Sequence, residues 1–326
     1  MLDETTVVTL ERHSYRLAAP LAGSAYGLVW RADQSPSGRQ LALKFVNQAQ
    51  MARALAPQRQ RWIDGARQEA AFLRQLAPWD GRHLVRLFDS GEHEGLPVLA
   101  LELLDGDAGS WVARRRAAGL PGDVARSLGW IGQLNQALAR VHQYGWRHLD
   151  VKPSNLLLLD GERQIKLTDF GTATCSPASH EYLGTPNWQS PEQVFAGSDG
   201  RYHTSARSDY FNLGALLYYF ATGGVALRFC SASAAAWREG QTGAAARLRA
   251  AHSGAMPATL HEDEAQLFEQ RCAEQLGHLP AAQALLLLRA LLAADPARRP
   301  PHALAIGRML AAVQAQSQPR PAWSAA

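Results

Sequence analysis

Cysteine is scarce in this chain: Cys175, Cys230 and Cys272 are the only three in 326 residues. No two share a C-x-x-C spacing and their number is odd, which excludes a closed disulfide framework and a zinc ribbon and suits a reducing compartment. A basic stretch followed by an apolar core is also missing from Met1-Leu2-Asp3-Glu4-Thr5 onward, so no signal peptide is expected and a cytoplasmic location is. Long apolar runs are lacking too. Phe211 to Leu227 is the longest, and Asn212 and a Thr-Gly-Gly break make it a buried helix, with no membrane span expected. Charge is sparse at 19% of residues, and the balance of 33 basic against 29 acidic residues gives only +4. Arg114-Arg115-Arg116 is the one basic run and reads as a solvated helix face, so nucleic acid is not an expected partner. No internal repeat is present. The hydrophobic fraction of 47% is that of a globular protein long enough for one two-lobed domain or two ordinary ones.

What is present concentrates in His148-Leu149-Asp150-Val151-Lys152-Pro153-Ser154-Asn155 and, further on, Asp169-Phe170-Gly171. Pro153 keeps the first stretch from being a helix. Apolar Leu156 to Leu159 predicts a strand, Asp160-Gly161 a turn, and Ile165-Lys166-Leu167 the returning strand. Asp150, Asn155 and Asp169, groups that suit a metal ion and a hydroxyl, are thus gathered around one small hairpin. Any one of them alone would read as a loop-stabilising residue. In this order, with Lys152 between, the stretch resembles the catalytic loop and DFG motif of the eukaryotic-type protein kinase family. Lys152, two residues after the aspartate, is the serine/threonine-type variant.

The resemblance extends from about residue 15 to 315. Residues 5–46 read as short strands. Gly27 and Val29 match the end of the family's glycine-rich loop, which places Ala22 and Ser24 where its first two glycines stand. Ser24 is expected to offer its backbone N–H to phosphate, with looser contact than glycine would allow. Lys44, in the apolar strand Leu41 to Val46, matches the lysine of the VAIK strand. Its partner should be Glu69, the only glutamate in the helix expected over Gln58 to Leu76. Strands are expected at Leu84–Phe88 and Pro97–Leu103, with Leu101 behind the adenine and Glu102 to Leu104 as the hinge.

The remainder is helical apart from the catalytic hairpin. Ser110 to Ala118 and Asp123 to Tyr144 read as helices, the second capped by Asp123. Thr172 to Ser190 has a flexible composition and leads into Gly184-Thr185-Pro186 and Ser190-Pro191-Glu192, which resemble the P+1 loop and APE motif. Asp209 to Gly214 resembles DxWxxG, and Arg299 resembles the arginine that pairs with the APE glutamate, here Glu192. Ser231 to Pro257, rich in Ala and Arg, reads as an extended loop or loose helix. Ala315 to Ala326 reads as a disordered tail with Trp323 as its anchor candidate.

The resemblance implies an α+β, bilobal protein kinase-like fold. Residues 1–104 would form a small antiparallel sheet with one helix, and 105–314 a mainly helical lobe. It implies transfer of the ATP γ-phosphoryl group to Ser or Thr of a protein substrate, with Mg²⁺. Asp150 would act as base, Lys152 would neutralise the γ-phosphate and meet the Thr185 hydroxyl, and Asn155 and Asp169 would hold the metal. Lys44 with Glu69 would anchor phosphates, and Val29, Ala42 and Leu157 would sandwich adenine. Leu149 stands where the family commonly has an arginine, so the active arrangement is not expected to need a phosphate between Thr172 and Thr185. Either the segment's own packing or an activating protein partner would order it. The degenerate glycine loop leaves a pseudokinase scaffold as the alternative, which the intact Lys44, Asp150, Asn155 and Asp169 oppose. An aminoglycoside-type small-molecule kinase is opposed by Lys152, the Thr185 loop and the Glu192–Arg299 match.

Overall fold

The computed structural model of the chain describes residues 2–24, 27–179, 184–240 and 243–317. It divides into two compact units, Met1–Asp105 with Lys166–Ala173, and Gly106–Ile165 with Thr174–Ala326. No helix among the described residues is long and apolar enough to cross a membrane.

The first unit is built on β1 (Val7–Thr9), β2 (Ser14–Gly23), β3 (Gly27–Ser35), β4 (Gln40–Val46), β5 (Leu87–His93) and β6 (Leu96–Glu102). They form one antiparallel sheet in the order β1-β2-β3-β4-β6-β5. Alternation along β4 buries Leu41, Leu43 and Phe45 with Val8, Tyr15, Leu17, Val98 and Ala100, and leaves Ala42 and Lys44 on the other face. The β1–β2 turn is tied to the far edge of the sheet. Asp89 Oδ2 accepts from Arg12 N, His13 N and the Tyr15 hydroxyl at 3.1, 3.0 and 3.0 Å. Strand β5 starts later than the expected Leu84. Leu84 and Val85 pair instead with Leu167, whose carbonyl accepts from Val85 N at 3.0 Å. After the short helix α1 (Gln48–Met51), α2 (Ala56–Gln75) buries Glu69, Ala70, Phe72 and Leu73, one face at helical spacing. Phe72 meets Phe170 with ring centroids 4.6 Å apart.

The second unit is mainly helical. Helix α3 (Ala108–Ala117) is capped by Asp107, which accepts from Ser110 N at 2.9 Å. Asp123 caps α4 (Val124–Gln143) in the same way through Arg126 N. Strands β7 (Leu156–Leu159) and β8 (Gln164–Leu167) form the expected hairpin, with Asp160 and Gly161 at φ 53° and 59° in its turn. The short β9 (Ala178–Ser179) pairs with β10 (Tyr202–His203), with α5 (Pro191–Val194) between them in sequence. Helix α6 (Ala206–Ala221) is buried almost all round, which accounts for its near-continuous apolar sequence.

Of the two readings of Ser231 to Pro257, extended loop or loose helix, the structure shows helix. Most of it lies in α7 (Arg228–Gly240) and α8 (Ala244–Ala250). Phe229, Cys230, Ser233, Ala234 and Ala236 repeat at helical spacing, and alanine is the best helix former. Their small side chains let the two helices close on Val194 through Ala236, Ala244 and Leu248. Then come α9 (Glu262–Leu276), α10 (His278–Leu291) and α11 (Ala303–Ser317). The last reaches into the stretch read as tail; residues 318–326, with Trp323, lie outside the described residues. Cys230 and Cys272 are free and buried, and burial pushes both thiols up to about 12.

Glu192 and Arg299 form a bidentate pair at 2.7 and 2.9 Å. The guanidinium is buried and also donates to the carbonyls of Ala293, Arg207 and Ala294. Removing one partner leaves the other charge uncompensated. Arg299→Ala should therefore lower unfolding stability by about 3–5 kcal/mol. Chemical denaturation checks this; a variant with wild-type stability would contradict it.

Candidate active site

The first unit holds one cluster of the sequence-derived residues. Lys44 projects from β4 on the face shared by Ala42 and by Val29, its direct partner on β3. Its Nζ donates to Glu69 Oε2 at 2.5 Å and to Asp169 Oδ1 at 2.7 Å. Burial works against the ammonium, but the Asp169 and Glu69 carboxylates outweigh it and hold the Lys44 pKa above the ordinary lysine value. Burial, with Asp169 adding to it and Lys44 opposing, pushes the Glu69 carboxyl up. One ammonium faces two carboxylates, so the cluster has a negative charge in excess and can accept a further cation. Gly65 on α2 packs against the DFG turn, where an added Cβ would sit 2.8 Å from the Gly171 carbonyl oxygen.

At the β2–β3 turn the Ser24 N–H, expected to reach phosphate, instead donates to the Gly27 carbonyl at 2.8 Å. Gly27 N donates to Ser24 Oγ at 3.0 Å. The serine hydroxyl competes for the donors that a glycine would leave free. Ala25 and Tyr26 lie outside the described residues. Glu102 is also committed within the first unit. Its N–H donates to the Arg86 carbonyl at 2.9 Å, and its carboxylate receives the buried Lys166 Nζ at 2.8 and 2.6 Å. Leu104 lies two residues past the end of β6. Sequence reading missed Lys166; a lysine in the apolar run Ile165-Lys166-Leu167 was its only signal.

The second unit holds the other cluster. Lys152 Nζ donates to Asp150 Oδ2 and to Thr185 Oγ1, both at 2.7 Å. Asn155 Nδ2 donates to the Asp150 carbonyl at 2.9 Å and contacts Oδ2 at 3.4 Å. Asp150 Oδ1 is buried and has no hydrogen-bond partner among the described residues. Because the Asn155 amide nitrogen is committed to Asp150, its side-chain oxygen is left as a ligand. That oxygen, and in the first unit the half-exposed Asp169 carboxylate, are each the kind of donor a hard cation such as Mg²⁺ takes. Leu157 is half-buried on β7 between the buried Leu156 and Leu158, and so faces away from the core.

Asp209 lies beneath this second cluster. Fully buried on α6, it accepts from Leu149 N at 2.8 Å and from His148 N at 3.0 Å, and contacts His142 Nε2 at 2.8 Å. Burial opposes its charge, but the bond and charge of His142, with His148 and Leu149 N, hold the carboxyl below the ordinary aspartate value. Leu149 and Asp169 both sit in the left-handed region, at φ 62° and 64°. Each is a strained position at or next to a carboxylate of its cluster.

The family model for the protein kinase domain matches residues 20–309. The serine/threonine-protein kinase PkaA of Streptomyces coelicolor is 32% identical over 227 residues, covering 64% of this chain and 39% of that protein. The DNA damage-responsive serine/threonine-protein kinase RqkA of Deinococcus radiodurans is 31% identical over 226 residues, 66% of this chain and 30% of that one. The dual specificity protein kinase TTK of Mus musculus is 31% identical over 194 residues, 56% and 21% respectively. The chain thus spans well under half the length of these relatives.

Replacing Ser24 by glycine removes the oxygen that occupies Gly27 N–H. Ser24→Gly should tighten ATP binding by about twofold to tenfold, the worth of one modest hydrogen bond. Titration calorimetry checks this; weaker binding would mean the hydroxyl itself serves the nucleotide.

Proposed function

The chain belongs to the protein kinase family, and on that premise we propose that it transfers the γ-phosphoryl group of ATP to Ser and Thr hydroxyls of proteins. The observation that carries the reading is Asp150, with one oxygen held by Lys152 and the other unpaired. Phosphoryl transfer needs positioning and charge compensation more than covalent help. Asp150 Oδ1 accepts the hydrogen bond of the incoming hydroxyl and takes its proton. Lys152 neutralises charge on the transferred group, and its bond to Thr185 ties that charge to the segment that selects a Ser or Thr acceptor. Lys44, oriented by Glu69, anchors the α- and β-phosphates. Asn155 and Asp169 would hold Mg²⁺, which would supply positive charge against the phosphates. Val29, Ala42 and Leu157 are the residues that would supply apolar surface to adenine. The backbone groups of Leu104 would supply its polar contacts, with Glu102 held by Lys166 and Arg86.

The similar proteins, named as serine/threonine and dual specificity kinases, support the acceptor class. The scaffold reading finds support only in the turn at Ser24. Three unpaired thiols support a reducing, cytoplasmic setting.

Incubated with Mg²⁺, labelled ATP and a general protein acceptor, the wild type should label Ser and Thr. Asp150→Asn should lower the rate by about 10²–10⁴-fold. Wild type and variant equally inert while both bind ATP would establish the scaffold instead. A second expectation follows from Leu149 in place of an arginine. A variant with Thr172, Thr174, Ser176 and Ser179 changed to Ala and Tyr182 to Phe should keep most activity; Tyr182 lies outside the described residues. A loss of about a hundredfold, restored by acidic replacements, would show that a phosphate is needed after all.

A further inference from the structure

Leu149, the residue before Asp150, is buried and left-handed at φ 62°. That conformation is unfavourable for a leucine, so its neighbours must hold it. Its N–H is held by Asp209. Its carbonyl accepts from Gln193 Nε2 at 2.8 Å. Gln193 lies on α5, the short helix that follows the Thr185 segment, and is itself buried. Its side-chain oxygen accepts from Ser190 N and Ser190 Oγ, both at 3.1 Å. Ser190 N–H can only donate, so the amide is oriented with its oxygen toward Ser190 and its NH₂ toward Leu149. Gly184 closes on the same point: at φ 94°, an added Cβ there would stand 2.6 Å from the Leu149 oxygen and 3.0 Å from Gln193 Nε2. Both ends of the Thr185 stretch therefore converge on one backbone carbonyl of the catalytic loop.

We infer that Gln193 is a positioning residue: its amide ties the segment carrying Thr185 to Leu149, and so holds Asp150 in working geometry without a phosphate or an added partner. The inference rests on Asp150 being the reacting carboxylate. The bond does mechanically what an arginine–phosphate contact would do electrostatically, and it joins the same two pieces of chain. Because Gln193 lies far along the sequence from Leu149, 44 residues, the tie closes a long loop and cannot be replaced by local turn geometry.

Two substitutions separate positioning from bulk packing. Gln193→Leu keeps the volume but leaves the Leu149 carbonyl without its donor. Gln193→Glu keeps the shape; as a neutral acid its O–H donates to Leu149 and its C=O accepts from Ser190, whereas as a carboxylate it faces the carbonyl with like charge. In phosphatase-treated protein, Gln193→Leu should lower kcat about tenfold or more with KM for ATP unchanged. For Gln193→Glu, kcat relative to wild type should fall as pH rises from mildly acidic to mildly alkaline, while the ratio for Gln193→Leu stays flat. Two variants that lose thermal stability alike, keep wild-type kcat and show no pH divergence would overturn the inference. If the wild type transfers no phosphoryl group at all, the kinase reading fails instead. Amide exchange at Leu149 and Asp150 then judges the tie by itself: faster exchange in Gln193→Leu supports it, and unchanged exchange overturns it.

Discussion

A single buried carboxylate, Asp209, fixes the path of the loop that carries Asp150. It sits on α6, whose sides are nearly all covered, so the group beneath the catalytic loop belongs to the most deeply packed element of that unit. A buried charge without partners would cost several kcal/mol. Here two backbone N–H groups and a histidine satisfy it, each charge-assisted bond contributing about 1.5–3 kcal/mol. Those same N–H groups belong to His148 and Leu149, so satisfying Asp209 sets the path of the chain into Asp150. From there Lys152, Asn155 and Thr185 follow by direct contact. Burial and the path of the loop are coupled: the loop cannot shift without leaving the buried carboxylate short of hydrogen bonds.

The first unit applies the same logic with the sign reversed. Its fixed charge is the Lys44 ammonium, presented by a sheet whose other face is the core, and two carboxylates converge on it. Glu69 comes from α2, and Phe72 on the same helix packs on Phe170, next to Asp169 in the chain. The position of α2 and that of Asp169 are thereby linked. In both units a left-handed residue stands at or beside the acid, Leu149 next to Asp150 and Asp169 itself. Strain of this kind persists only where surrounding bonds over-determine it.

What could be read from the sequence was short in range or unique in type. The catalytic hairpin is a local object, its turn marked by Asp160-Gly161 and its strands by uninterrupted leucines. Glu69 could be assigned to Lys44 because its helix offers no other glutamate. The buried contact of Glu192 with Arg299 was legible through two motifs, although 107 residues separate them. What escaped depended on distant or competing partners. Leu84 and Val85 look like the start of β5, but Leu167 takes their hydrogen bonds. Ser24 was read for its backbone, while its hydroxyl decides what Gly27 can do. Composition between Ser231 and Pro257 leaves an extended loop and a loose helix equally open, and the contacts of the two helices with Val194 decide for helix. Lys166 with Glu102 and Gln193 with Leu149 carry no motif; only the fold brings them together.

The central claim is that the catalytic loop is held from below by Asp209, independently of any phosphate on the Thr172–Thr185 segment. Amide hydrogen exchange at Leu149, followed by NMR in the unphosphorylated wild-type protein, tests this most directly. A bond to a buried carboxylate on α6 predicts exchange as slow as that of the α6 core, opening only with unfolding of the unit. Exchange as fast as that of an exposed loop, slowing only after the segment is phosphorylated, would contradict the account.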